Sequence, residues 1–268
     1  ANDGHEWTKW EKPLALRQPA VLEAALTTHA DAIENQKFRQ WVFHTQWFEL
    51  KAYANGKGVK LVGDIPIFVA HDSSDVWSAR ELFYLDADGM PTVVAGVPPD
   101  YFSPTGQRWG NPLYRWDVMQ ASGFEWWIKR VRSVLKLVDI VRIDHFRGFC
   151  QYWEIPSTEE TAIKGTWIDA PGQALFETFK TVFGDIPVIA EDLGEITPDV
   201  YALRDGFNLP GMKVLQFAWG DTRGINVFLP HNYVTNCIVY TGTHDNNTSR
   251  GWFETASENE RELARAYL

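Results

Sequence analysis

Val138-Asp139-Ile140-Val141-Arg142-Ile143-Asp144-His145-Phe146-Arg147-Gly148 changes character part-way along. Val138 to Ile143 is mostly apolar and β-branched, and it is too short for a helix, so it predicts a buried strand. The run then ends in acid, imidazole, ring, guanidinium and glycine. Arg142 is harder to place, because it is charged and lies inside the apolar run. In a barrel of parallel strands, side chains at the C-terminal end of a strand face the mouth where catalytic groups gather. Arg142 and Asp144 are two apart and share one strand face. A catalytic carboxylate with its cation and a structural salt bridge at a strand end both fit this stretch.

The same grammar recurs on both sides. Val59 to Pro66 reads as a strand that passes through Asp64. Asp185 to Asp192 reads as another, ending in Glu191 and Asp192. Met212 to Phe217 and Asn236 to Tyr240 read as two more, the last running into Thr243-His244-Asp245-Asn246-Asn247-Thr248. Between them lie helical stretches. Gly123 to Leu137 carries Phe124, Trp127, Ile128, Val131, Val134 and Leu135 at steps of three and four. Pro171 to Phe183 and Thr197 to about Arg204 follow, the second with Pro198 at the first helical position. Upstream, Leu14 to Ala32 and Asn35 to Asn55 predict two helices, and Glu258 to Leu268 predicts a last one. Residues 68 to 117 have no clear period and are rich in Pro, Gly, Asp and aromatics, so they predict a long irregular insertion.

Strands alternating with helices imply parallel strands and crossover connections. The expected fold class is therefore α/β. An open doubly wound sheet and a closed (β/α)8 barrel both satisfy the pattern. No Gly-x-Gly-x-x-Gly follows a strand, which counts against the dinucleotide-binding version. Five strands are counted, and a closed barrel of this type has eight.

The chain has 268 residues, 45% of them hydrophobic and 22% charged, enough for a substantial core. With 25 basic and 35 acidic residues the net charge is −10. That argues against nucleic acid as a partner, since phosphate binding needs basic patches. No apolar run reaches membrane-spanning length, so no membrane partner is expected. Oligomeric state is not readable. Cys150 and Cys237 stand alone, with neither metal-ligand spacing nor a disulfide framework. A reducing, cytoplasmic setting is the expectation, or a plastid if the source is a plant. No secretory signal is visible at the start. His145 and His244 each adjoin an acid, but their spacing matches no metal motif, and no metal or other cofactor is expected. Ser73, Ser74, Ser103 and Ser249 show no nucleophile-elbow context. The 13 Trp are many for this length. Most are expected in the core, and a few as stacking surfaces for sugar rings.

Three strand ends present acids: Asp144, Glu191 and Asp245. Two carboxyl groups flanking a glycosidic bond are the equipment of glycoside chemistry, one attacking and the other donating a proton. A third can stabilise oxocarbenium-like charge. The donor must stay protonated near neutrality, which burial and a like charge would achieve. Arg142 would do the reverse for Asp144 and keep it ionised.

Five motifs then resemble one family. Val141-Arg142-Ile143-Asp144-His145-Phe146, Ile189-Ala190-Glu191-Asp192-Leu193-Gly194 and Thr241-Gly242-Thr243-His244-Asp245-Asn246-Asn247-Thr248 are similar to motifs of the amylomaltases, the 4-α-glucanotransferases or disproportionating enzymes. So are Gly63-Asp64-Ile65-Pro66-Ile67-Phe68-Val69 and the long run from Gly96 through Tyr101, Phe102, Gln107 and Trp109 to Pro112. The resemblance implies a (β/α)8 barrel and a retaining transfer of α-1,4-glucan segments. It implies Asp144 as nucleophile, Glu191 as acid/base and Asp245 as transition-state stabiliser. It assigns Arg142, His244 and Asp64 to donor-sugar binding, and puts Tyr101, Phe102, Gln107 and Trp109 on a loop over the cleft. Phe217, at another strand end, is expected to wall the pocket. Its partners would be α-1,4-glucan donors and acceptors. Amylases are expected to share the three acids without the long loop motif. Family members are about twice this length, so the chain is expected to be a partial catalytic domain over residues 1–268, holding about strands three to seven. On its own, such a piece is expected to be poorly stable and inactive.

Overall fold

The computed structural model describes residues 4–100, 103–220 and 223–268. The chain divides into two compact units. The first comprises residues up to Val141 together with Arg147–Pro187, and the second comprises Arg142–Phe146 with Val188–Leu268.

The first unit begins with three helices, α1 (Lys12–Ala15), α2 (Pro19–Thr28) and α3 (Ala30–Gly56). The helix expected over 14–32 is broken at residues 16–18. Arg17 has φ of 56°, and Gln18 is extended, as the residue before Pro19 is driven to be. A new helix then starts on Pro19. The helix expected from Asn35 begins five residues earlier, and none of its 27 residues is buried. Its C-terminal half is tied down by polar bonds. Trp47 Nε1 donates to Leu137 O at 2.7 Å, and Lys51 Nζ donates to Val138 O at 2.8 Å.

Strand β1 (Val62–Pro66) follows, then α4 (Ser74–Ser78), capped by the Ser73 hydroxyl, which accepts from Val76 N–H. The region expected to be irregular, residues 68 to 117, also holds β2 (Val93–Val97), β3 (Gln107–Pro112) and the first two residues of α5 (Trp116–Ala121). Helix α6 (Glu125–Leu137) leads into β4 (Ile140–Asp144), whose first two residues belong to this unit. Asp139 fixes where β4 starts. Its carboxylate accepts from Leu61 N–H and the Asn55 amide, both at 2.8 Å, and pairs with Lys51. The Leu61 N–H bond, then the Asn55 amide, holds that carboxyl below its usual range. Asp139 and Ile140 N–H both donate to Leu61 O, so the start of β4 lies beside β1.

Two further strands, β5 (Gln151–Pro156) and β6 (Thr166–Asp169), were not expected. With β2 and β3 they make an antiparallel sheet ordered β3-β2-β5-β6. Trp153 and Trp167 face each other across β5 and β6, ring centroids 5.2 Å apart. Helix α7 (Gly172–Phe183) closes the unit, burying Leu175, Phe176 and Phe179.

The core of this unit is aromatic. Tyr114, Trp116, Trp127, Phe149, Phe176 and Phe179 are all buried and meet mostly edge-on or tilted. Tyr114 keeps a polar handle. Its hydroxyl donates to Ile67 O at 2.6 Å, just beyond β1, and burial pushes its pKa up. Arg130 lies over Trp126 and Trp127 and donates to Pro66 O at 2.7 Å. The carbonyls at the end of β1 are thus bound from two sides. Tyr114→Phe is expected to cost about 1–2 kcal/mol in denaturant unfolding of the full-length protein, because it removes one donor from a buried site.

The second unit carries the end of β4 and the remaining strands. It holds Arg142 to Asp144 of β4, then β7 (Val188–Ala190), α8 (Pro198–Gly206), β8 (Gly211–Val214) and β9 (Cys237–Tyr240). Glu191 N–H donates to Ile143 O, and Ala190 N–H donates to Pro210 O, so β7 lies between β4 and the start of β8. β8 and β9 are parallel and in register from Gly211↔Cys237 to Val214↔Tyr240. The strand expected over 212–217 stops at Val214. A 3-10 turn, Leu215–Gly220, takes its second half and buries Ala218 and Trp219 against Leu229 and Ala264. Helices α9 (Ser249–Thr255) and α10 (Glu258–Tyr267) end the chain. α10 starts on a full capping box, Ser257 with Glu260. Among the described residues no helix is long and apolar enough to cross a membrane.

Candidate active site

Arg142, Asp144, Glu191, Phe217, His244 and Asp245 all belong to the second unit. Arg142 and Asp144 lie on one face of β4, as their spacing requires. Arg142 Nη2 donates to Asp144 Oδ1 at 2.6 Å. The guanidinium side chain is 11% exposed and the carboxylate 41%, so the pair is anchored inside while its acid reaches solvent.

The chain then turns sharply. His145 adopts φ of 53°, a left-handed conformation unusual for a residue with a side chain. That turn aims His145 N–H at Glu191 Oε2, 2.7 Å away. The other oxygen, Oε1, accepts from Leu193 N–H at 2.9 Å. Glu191's own backbone closes the arrangement, since its carbonyl accepts from Phe146 N–H. The carboxyl is thus held at both oxygens by main-chain donors from two strand ends.

Burial is the main influence on Glu191 and raises its pKa to about 7. The nearby Asp144 charge pushes it the same way. The Leu193 and His145 N–H groups and the Arg142 guanidinium oppose the shift without cancelling it. Two neighbouring carboxyls therefore differ in environment, one beside a guanidinium and half open, one enclosed and protonated in part at neutrality. Such a divergence separates an acid from a nucleophile.

At the end of β9, Thr243 N–H and Oγ1 both bond Asn246 Oδ1 at 2.9 Å, folding a tight turn. Gln216 Nε2 donates to Asn247 O at 2.8 Å, and Thr248 caps α9 by accepting from Gly251 N–H. A Cβ on Gly242 would come 2.5 Å from Gln216 Nε2, so a side chain there would displace the Gln216 amide. On that turn His244 Nε2 lies 3.4 Å from Asp245 Oδ1, and both side chains are about 70% exposed. Phe217 sits in the 3-10 turn after β8, 37% exposed and edge-on to Phe228 at 5.4 Å. Asn226 Nδ2 donates to the Phe217 and Ala218 carbonyls.

The structure thus brings Arg142, Asp144 and Glu191 together and pairs His244 with Asp245. The other expected site residues lie in the first unit. Asp64 is in β1; Gln107 opens β3 and accepts from Trp109 Nε1 at 3.0 Å. Tyr101 and Phe102 lie outside the described residues. Sequence reasoning missed the main-chain donors of His145 and Leu193, which no side-chain pattern reveals. It also read Asp192 as only one more strand-end acid, although this side chain is buried and bound to Arg204.

The family model described as 4-alpha-glucanotransferase matches residues 1–268. The chain belongs to the 4-alpha-glucanotransferase family. It is 54% identical over 270 residues to the 4-alpha-glucanotransferase of Thermus thermophilus, covering 100% of this chain and 54% of that protein. The chloroplastic/amyloplastic 4-alpha-glucanotransferase of Solanum tuberosum is 46% identical, over 98% of this chain and 45% of its own length. Among solved structures, the amylomaltase from Streptococcus agalactiae in complex with acarbose superposes with a TM-score of 0.95 at 45% identity, covering 98% of this chain and 53% of that one. The α/β fold is therefore that of part of the amylomaltase chain, in keeping with an incomplete barrel. The chain spans about half the length of the curated relatives it matches.

Proposed function

We propose that the full-length protein is a 4-α-glucanotransferase, moving α-1,4-glucan segments between maltooligosaccharides or starch- and glycogen-derived chains. One observation carries the mechanism: Asp144 is paired with Arg142, while the neighbouring Glu191 carboxyl is raised to about 7. Asp144 attacks the anomeric carbon of the donor, and the bond to the leaving oxygen breaks. Glu191 gives its proton to that oxygen, and the shortened glucan departs. A covalent glucosyl-enzyme remains. Glu191, now a carboxylate, takes the proton from the 4-hydroxyl of an acceptor, which attacks and regenerates Asp144. The two main-chain N–H groups on Glu191 stabilise its charged form between these steps. Asp245 stabilises the oxocarbenium-like transition state, and Arg142 and His244 hold the donor sugar. Phe217 supplies an apolar wall. Asp64, Tyr101, Phe102, Gln107 and Trp109 keep the sugar-binding and loop roles that the family resemblance implies.

Transfer must outcompete water, which is far more abundant. It does so when acceptor subsites bind sugar productively and limit water attack. The acarbose bound to the Streptococcus agalactiae relative supports glucan-like ligands as the substrate class. A cytoplasmic or plastid location, without nucleic-acid or membrane partners, completes the proposal. Full-length protein incubated with maltotriose is expected to release glucose and build a ladder of longer maltooligosaccharides, read by chromatography. New reducing ends without chain lengthening would instead identify an amylase-type hydrolase. No turnover with retained glucan binding would identify a binding protein.

A further inference from the structure

We propose that Asp192 and Arg204 form a clamp that positions the Glu191 carboxyl for proton transfer, acting through the Leu193 N–H. The inference rests on the reading of Glu191 as acid/base and adds two positioning residues to it. The Asp192 side chain is fully buried. Its Oδ1 accepts from Met212 N–H at 2.7 Å, the second residue of β8, and its Oδ2 is ion-paired with Arg204 Nη1. Arg204 is itself buried on α8, where it lies 4.9 Å over the Tyr201 ring and also binds Asp205. Gly211 makes room for the pair. A Cβ there would stand 2.6 Å from Asp192 Oδ2 and 2.8 Å from Arg204 Nη1.

The clamp sits where regular pairing runs out. β7 ends at Ala190, one residue before the acid. The direction of the next peptides decides whether Leu193 N–H meets Glu191 Oε1, as it does at 2.9 Å. Asp192 lies between the two and is the residue of that turn bonded to both β8 and α8. A buried ion pair is a weak stabilising device, since its desolvation cost can exceed the attraction, and apolar residues of similar volume often serve stability as well. What such a pair does supply is fixed direction. A displacement of about 1 Å at an acid/base group can cost about 100-fold in rate.

The test compares two donors in the full-length enzyme. Maltotriose needs its leaving oxygen protonated. α-Maltosyl fluoride with azide as acceptor needs no proton at either step, because fluoride leaves as the anion and azide attacks as the anion. Asp192→Asn is expected to lower kcat on maltotriose about 100-fold and to change the fluoride–azide reaction by less than about threefold. Arg204→Lys, which keeps the charge, is expected to lose less than Arg204→Gln on maltotriose. Equal losses on both donors for Asp192→Asn, or no loss on either, would overturn the clamp. Glu191→Gln run alongside must show the same split between donors. If it does not, the acid/base reading itself falls, which distinguishes the two failures. Should Asp192→Asn not fold, Gly211→Ala, which pushes the pair apart without changing a charge, makes the same comparison.

Discussion

Asp144→Asn in the full-length protein is expected to lower transfer from maltotriose by about 10⁴-fold or more, with maltooligosaccharide affinity by calorimetry largely kept. Asn has nearly the shape of Asp, and its amide oxygen can still accept from Arg142 Nη2, now bonded to Asp144 Oδ1 at 2.6 Å. What disappears is the anion that attacks the anomeric carbon. A second consequence identifies the cause. Asp144 is the like charge that helps raise Glu191, whereas Arg142 lowers it. Removing the anion and leaving the cation must therefore bring the Glu191 pKa down from about 7, visible as a shifted carboxyl titration in the variant. Unchanged turnover in Asp144→Asn would remove this residue from the nucleophile role.

Glu191→Gln is expected to cost about 10²- to 10⁴-fold in kcat on maltotriose, the usual worth of general acid–base catalysis. The wild-type profile should fall on the alkaline side, because the proton needed for the leaving oxygen is lost as pH rises through about 7. In Glu191→Gln that alkaline limb should disappear. Stability falls in the same direction, with rising pH. The folded state raises this carboxyl from 4.5 to about 7, so the native protein binds the proton more tightly than the unfolded chain does. Its stabilising contribution is complete below about 4.5 and is lost as pH rises through about 7. The full difference is about 3 kcal/mol. Glu191→Gln, with no such titration, is expected to gain on the wild type between pH 5 and pH 8 in thermal unfolding. The gain is partly offset because an amide can accept only one of the two N–H bonds that Glu191 now receives. A pH-independent stability difference would sink this account.

Much of this arrangement was legible in the sequence because it follows from strand periodicity. Arg142 and Asp144 are two apart, and their pairing follows from that number alone. That one acid would be raised was expected from like charge and partial burial, and the family resemblance assigned it to Glu191; there burial is the main cause. The five strands counted from apolar runs all exist, although the one after α8 stops at Val214. The antiparallel sheet was invisible for a physical reason. β3 is Gln-Arg-Trp-Gly-Asn-Pro, half of it exposed and without alternation, and β6 has only four residues. Such strands form because partners impose a register, which no local pattern encodes. The break before Pro19 was encoded in the proline and was overridden by the apolar periodicity around it. The donors on Glu191 are main-chain groups, so identity at positions 145 and 193 says nothing about them.

The long helix α3 has no buried residue along 27 positions, yet its C-terminal half is held by Trp47, Lys51 and Asn55. Phe38, Trp41 and Tyr53 on it are more than 60% exposed. Packing, the usual source of helical stability in proteins, is therefore slight in its first half, where Ile33 and Val42 are only half-buried and no bond like those of Trp47 and Lys51 is seen among the described residues. Amide exchange along this single helix is therefore expected to be graded, fast near Asp31 and slow beyond Trp47, so that one continuous rod has a firm end and a fraying one.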